Sequence, residues 1–142
     1  MVCIYCKSET QVTNSRHQIR SGGIWRRRKC LSCGRIFTTA EQVDYEKTWV
    51  VLSLGAPKAP RPPKRPFVRD KLYISLYKSL AHRPKATSDA AALTATIIGN
   101  LQKITDDGSL TTTTIATLAH QALGHFDKAA ATMYAAYHED VV

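Results

Sequence analysis

Apolar residues recur along this chain with two different periods, and the change falls near its middle. From Gln11 to Ile19, β-forming residues alternate loosely with polar ones, which predicts a strand. Ser21-Gly22-Gly23 follows as a turn whose glycines accept positive φ. Ile24 to Lys29 predicts a second strand, and Arg35 to Thr39 a third. A strand sends neighbouring side chains to opposite faces, so Ile24 and Trp25, like Ile36 and Phe37, cannot both enter one small core. Thr48 to Leu54 is apolar enough for a buried strand. Ala56 to Pro66 then holds five of the six prolines, which excludes a helix or a central strand and predicts an extended basic arm leading to a short strand beside Val50.

Beyond residue 69 the period becomes helical. Asp70 is the expected cap of a helix carrying Leu72, Leu76 and Leu80 and ending before Pro84. Ser88 or Asp89 is the expected cap of a second, with Leu93, Ile97, Leu101 and Ile104 on one stripe and Asp107-Gly108 closing it. Thr111 to Thr114 can cap a third, carrying Ile115, Leu118, Ala122 and Leu123 and stopping at Gly124. Asp127 is the expected cap of a fourth, with Ala130, Met133, Tyr134 and Tyr137 inward. The fold class is therefore α+β: a small three-stranded β unit over residues 1–47, then a mainly helical four-helix domain with a short β element over residues 48–142.

The chemistry of the first unit is set by the only four cysteines. Cys3 and Cys6 form one Cys-x-x-Cys pair, and Cys30 and Cys33 form another after 23 intervening residues. Two such knuckles supply the tetrahedral sulfur cage that Zn²⁺ prefers, and four thiolates leave no position for water. The alternatives for this spacing are two disulfides, a redox pair or unrelated buried thiols. A closed zinc site folds a domain rather than catalysing, and a unit this small needs such a staple.

Charge adds a partner. The formal net charge is +9. Residues 1–47 contribute +5, residues 48–88 contribute +8 and residues 89–142 contribute −4, so the positive charge lies where a polyanion would be met. Arg26-Arg27-Arg28-Lys29 is the densest part. Consecutive cations on a strand repel one another, and bound phosphates offset that repulsion. Arg16, Arg20 and Arg35 can extend the patch, with Tyr5, Trp25 and Phe37 interleaved. A solvated basic edge that blocks strand pairing is the alternative.

No apolar run reaches membrane-spanning length, and the chain opens on the first cysteine pair rather than a signal peptide, so a cytoplasmic protein is expected. No nucleophile–base pair, open metal position or paired carboxylates are visible, and His17, His82, His120, His125 and His138 are dispersed, so an enzyme is not expected.

These residues resemble the NrdR-type bacterial transcriptional repressors of ribonucleotide reductase genes, which join a zinc ribbon to an ATP-cone. The resemblance rests on Cys3-x-x-Cys6, Ser15-Arg16, Ile24-x-Arg-Arg-Arg28-x-Cys30 and Cys30-Leu-Ser-Cys-Gly-Arg-Ile-Phe-Thr-Thr-Ala-Glu41. In the second half, Lys64-Arg65-Pro66-Phe67-Val68-Arg69-Asp70-Lys71-Leu72, His82-Arg83-Pro84 and Leu123-Gly-His-Phe-Asp127 resemble the cone. The chain departs at Asn14, where the family has Asp, and at Val51 to Gly55, where the family's phosphate lysine is replaced by apolar residues. It departs again at Ala131 and Met133.

The resemblance implies a repressor whose ribbon binds double-stranded operator DNA through Arg16, Arg26, Arg27, Arg28 and Lys29. It implies a nucleotide effector, ATP or dATP, held by Lys64, Arg65 and Lys71 and acting through homo-oligomerisation. A ribbon module that docks on RNA or a protein without nucleotide control is the alternative function.

Overall fold

The computed structural model describes residues 1–19, 22–53 and 63–138. Its contacts divide the chain into two units, Met1–Val43 and Asp44–Val142, and the architecture is α+β. Arg20, Ser21, Leu54 and most of the proline-rich arm, with Lys58 and Arg61, lie outside the described residues.

In the first unit, β1 (Thr10–Gln18), β2 (Gly23–Cys30) and β3 (Ile36–Glu41) form an antiparallel sheet in that order. The register sets Thr10 opposite Cys30, Arg16 opposite Trp25 and Arg28 opposite Phe37. It shifts between Val12 and Asn14, so Thr13 is a bulge, and its hydroxyl donates to the carbonyl of Arg27 at 3.1 Å. Phe37 is buried and Ile36 exposed, as alternation requires, whereas Ile24 and Trp25 are both half-buried. Among the described residues of this unit, the buried core comprises Cys3, Cys30 and Phe37. Apolar burial on that scale cannot hold three strands together.

The second unit begins with α1 (Tyr45–Thr48), capped by Asp44, and β4 (Val50–Leu52). β5 (Lys64–Pro66) pairs antiparallel with β4, and β6 (Ser109–Thr111) pairs parallel to it, giving the order β5-β4-β6. The expected strand beside Val50 is thus present. α1 and β6 were not expected, because a four-residue helix and a three-residue strand are too short to show a period. Around the sheet pack α2 (Arg69–Ser79), α3 (Ala86–Ile104), α4 (Thr112–Phe126) and α5 (Lys128–Tyr137). Leu76, Leu80, Ile97, Leu101 and Leu123 are wholly enclosed, and Trp49 stands between Tyr45 and Phe67 with ring centroids 4.4 and 5.3 Å away. Among the described residues, no helix is long and apolar enough to cross a membrane.

Several helix limits differ from the sequence expectation. α2 is entered through Val68, with no side-chain cap, and Asp70 sits inside its first turn. α3 starts at Ala86; Asp89 is inside its first turn, where it accepts from Arg83 Nε at 2.9 Å, and Ser88 donates to the carbonyl of Lys85. Gly124 does not stop α4, which continues to Phe126, because nothing crowds that glycine and the helix hydrogen bonds carry on past it. Ile104 ends α3 at 55% exposure, and Met133 and Tyr137 are 42% and 73% exposed on α5 instead of inward. The inward stripe of α5 is Ala130, Ala131 and Tyr134, shifted toward the neighbouring helices. Thr111 and Asp127 do cap α4 and α5, accepting from the amides of Thr114 at 3.0 Å and Ala130 at 3.1 Å.

Candidate metal centre and nucleic-acid interface

The two cysteine knuckles are built alike. In each, the first cysteine's carbonyl accepts from an amide four residues on: Lys7 to Cys3 at 3.0 Å, and Gly34 to Cys30 at 3.2 Å. Both donors lie in the left-handed region, Lys7 at φ 62° and Gly34 at φ 68°. Amides also point at the sulfurs, Tyr5 N at Cys3 Sγ and Cys33 N at Cys30 Sγ, each 3.4 Å away. β2 ends on Cys30 and thereby fixes the second knuckle to the sheet.

All four sulfurs lie within 4.8 Å of one another, with Cys6–Cys30 at 3.4 Å and Cys3–Cys33 at 3.8 Å. Those separations exceed a disulfide bond of about 2.05 Å. They are close to the edge of about 3.8 Å that a tetrahedron of Zn–S bonds of about 2.3 Å requires. The Ser8 hydroxyl and amide bring the Cys6 thiol down to about 6. At Cys33 the Arg35 amide favours the thiolate, but desolvation and the neighbouring sulfurs outweigh it and push that thiol up to about 11. Four such groups cannot all ionise without a cation among them. The sulfur-only donor set and its spacing fit one structural Zn²⁺, which would be held by Cys3, Cys6, Cys30 and Cys33.

Register then sorts the cations of the sheet. Arg26 and Arg28 share a face with Cys30 and Phe37, the side of the metal core. There Arg26 pairs with Glu41 at 2.5 Å, and Arg28 Nε donates to the Thr39 hydroxyl at 3.2 Å. Arg27 and Lys29 point the other way, with Arg16 and Trp25. The sequence groups these five cations together, and the sheet divides them two against three. Arg35 lies over the Tyr5 ring, 4.7 Å from its centre.

In the helical unit a cavity of about 310 Å³ opens between β4, β5, α2, α4 and α5. Arg65, Lys71, Ser75, Tyr134 and His138 are among the residues that line it. Ser75 Oγ and His138 Nε2 are 2.9 Å apart, and the His138 ring stacks on Tyr134 with centroids 4.2 Å apart. Much of the remaining wall is apolar, from Val51, Phe67, Leu72 and Ile115 among others. The uncapped N-terminus of α2 lies at the cavity through Val68. Lys64 is exposed and is not among the described residues that line the cavity. The sequence did not point to Ser75, Tyr134 or His138 as lining, because they meet only when α2 and α5 pack side by side.

A family model described as the N-terminal domain of NrdR-like transcriptional repressors matches residues 1–41. Over 141 residues the chain is 32% identical to the transcriptional repressor NrdR of Azorhizobium caulinodans, covering 99% of this chain and 77% of that protein. The NrdR of Rhodospirillum centenum is 31% identical, with 99% of this chain and 86% of that protein covered. That of Pelagibacter ubique is 32% identical, with coverage of 99% and 87%.

Proposed function

Because this chain belongs to the NrdR family of transcriptional repressors, we propose that it represses ribonucleotide reductase genes by binding double-stranded operator DNA through its zinc ribbon. The observation that carries this reading is the join between the sulfur cage and β2. The strand that ends on the metal ligand Cys30 presents Arg27 and Lys29 on its open face, while Arg26 and Arg28 are engaged by Glu41 and Thr39 on the other, so the metal holds the cationic sheet in shape. One ribbon offers a small surface, and its affinity for phosphates is weak and salt-sensitive. Placing two or more ribbons on one duplex raises the effective concentration of each, so a homo-oligomer is the binding species.

The helical unit supplies the control. Arg65 and Lys71 beside the α2 N-terminus receive the phosphates of ATP or dATP, and the apolar walls receive the remainder. Such an effector shifts assembly only as far as its affinity differs between the oligomeric forms. The site of action is the bacterial cytoplasm. Mass measurement of the zinc-loaded protein with ATP, with dATP and with neither, alongside retardation of a reductase-promoter duplex, tests both parts. A mass that ignores both nucleotides overturns the control, and a promoter duplex bound no better than unrelated DNA overturns the target.

A further inference from the structure

Resting on the reading of the ribbon as a DNA-binding module, the geometry points to one particular face of the sheet as the base-reading surface, with Asn14 and Arg27 as the residues that set sequence preference. The two are cross-strand partners on β1 and β2. The bulge at Thr13 makes this so. In an unbroken strand Val12 and Asn14 would share a side, but Val12 pairs with Arg28 on the metal side and Asn14 with Arg27 on the other. Arg16, the next residue on that side of β1, stands opposite Trp25.

This face differs from its reverse in three ways. Asn14, Arg16, Arg27 and Lys29 are all exposed, whereas Arg26 and Arg28 are half-buried. Among the described residues the side chains of Arg16, Arg27 and Lys29 make no hydrogen bond or ion pair, whereas that of Arg26 is held by Glu41 and that of Arg28 by Thr39. The strand residues on the open face include no carboxylate, whereas the reverse carries Glu41 and the metal core.

A two-stranded ribbon fits the DNA major groove, which is about 12 Å wide. Cross-strand neighbours stand about 5 Å apart, so Asn14 and Arg27 reach the same or adjacent base pairs. A side-chain amide reads adenine and a guanidinium reads guanine, each through two hydrogen bonds on the major-groove edge. Arg16 and Lys29 flank that pair and meet phosphates, which fix position without reading sequence.

The test uses full-length zinc-loaded protein and a randomised duplex pool, with parallel arms containing ATP, dATP or neither. Selected duplexes are then bound by wild type, Asn14→Ala, Arg27→Ala, Arg27→Lys and Arg26→Ala, each with its zinc content measured. The expected result is loss of preference at neighbouring positions in Asn14→Ala and Arg27→Ala, with binding weakened about five- to a hundredfold. Arg27→Lys keeps the salt dependence but loses the preference, and Arg26→Ala keeps the preference. Unchanged preference in Asn14→Ala and Arg27→Ala, or preference altered by Arg26→Ala, overturns the assignment of the face while DNA binding stands. If wild type enriches no duplex in any arm, the DNA-binding reading itself falls and this inference falls with it.

Discussion

Arg83, in the turn after α2, donates from Nη1 to Asp127 Oδ2 at the N-terminus of α5 across 2.9 Å, although the two lie 44 positions apart. The same guanidinium binds Asp89 in the first turn of α3 at 2.9 Å and covers the Phe126 ring at 4.6 Å. One side chain thus ties the start of α3 to the α4–α5 junction. Asp127 is held at about 2, against an ordinary 3.8, first by the Ala130 amide and then by Arg83 and His82. Its folded value is depressed, so its contribution to stability is present above pH 3.8 and is lost as pH falls toward 2. Thermal midpoints measured across this range should fall steeply in wild type. Asp127→Ala should start lower at neutral pH and show a shallower acid limb. Asp127→Asn should recover part of the neutral-pH loss by restoring the cap without the charge.

Metal removal should act on one unit only. The ribbon has three buried core residues, two of which are metal ligands, whereas the helical unit has its own enclosed aliphatic core. Chelation, or Cys30→Ser, should abolish the strand signals of residues 1–43 and DNA binding while the helical circular dichroism persists. Coincident loss of both signals would contradict the division.

The left-handed residues separate backbone cost from contact cost. A Cβ at Gly34 would meet nothing within 4 Å, so Gly34→Ala should cost only the conformational penalty, about 1 kcal/mol. A Cβ at Gly108, at φ 78°, would come within 2.9 Å of the Thr48 carbonyl, so Gly108→Ala should cost more. Lys7 occupies in the first knuckle the place that Gly34 has in the second, and Lys7→Gly should stabilise the ribbon by up to about 1 kcal/mol. Chemical denaturation of each variant, followed separately in the two units, checks the order.

Side-chain burial on α2 and α5 gives a fourth prediction. Leu76 is fully enclosed, and Leu76→Ala should cost about 2–5 kcal/mol. Met133→Ala and Tyr137→Ala should each cost far less, with Tyr137→Ala within about 0.5 kcal/mol, because Met133 is 42% and Tyr137 73% exposed. Urea midpoints of the three variants decide it.

The features legible in the sequence were those with a local cause. Cys-x-x-Cys spacing fixes the sulfurs, alternation requires that only one of Ile36 and Phe37 be buried, and Thr111 and Asp127 cap helices through bonds that span three residues. The features that depend on a distant partner were not legible. β6 exists because β4 offers it an edge, and Asp89 is drawn inside α3 while its carboxylate answers Arg83. Alternation along β2 already separates Arg26 and Arg28 from Arg27 and Lys29, but the side that Arg16 takes follows from the extra residue at Thr13, which leaves no mark in composition or periodicity. In the cavity, the basic residues Arg65 and Lys71 were recognisable from the sequence, but the wall contributed by Ser75 and His138 comes from residues 63 positions apart.

The parallel pairing of Val50 with Ser109 also constrains the order in which the molecule forms. A polypeptide emerging from its N-terminus exposes all four sulfur ligands long before β6 is made, so the ribbon can take up its ion during synthesis. The second sheet must wait, because β4 has no parallel neighbour until two helices have been synthesised and folded back. Closing so long a loop is slow. The nascent protein therefore passes through a stage in which its zinc ribbon is complete while the helical unit is still unfinished.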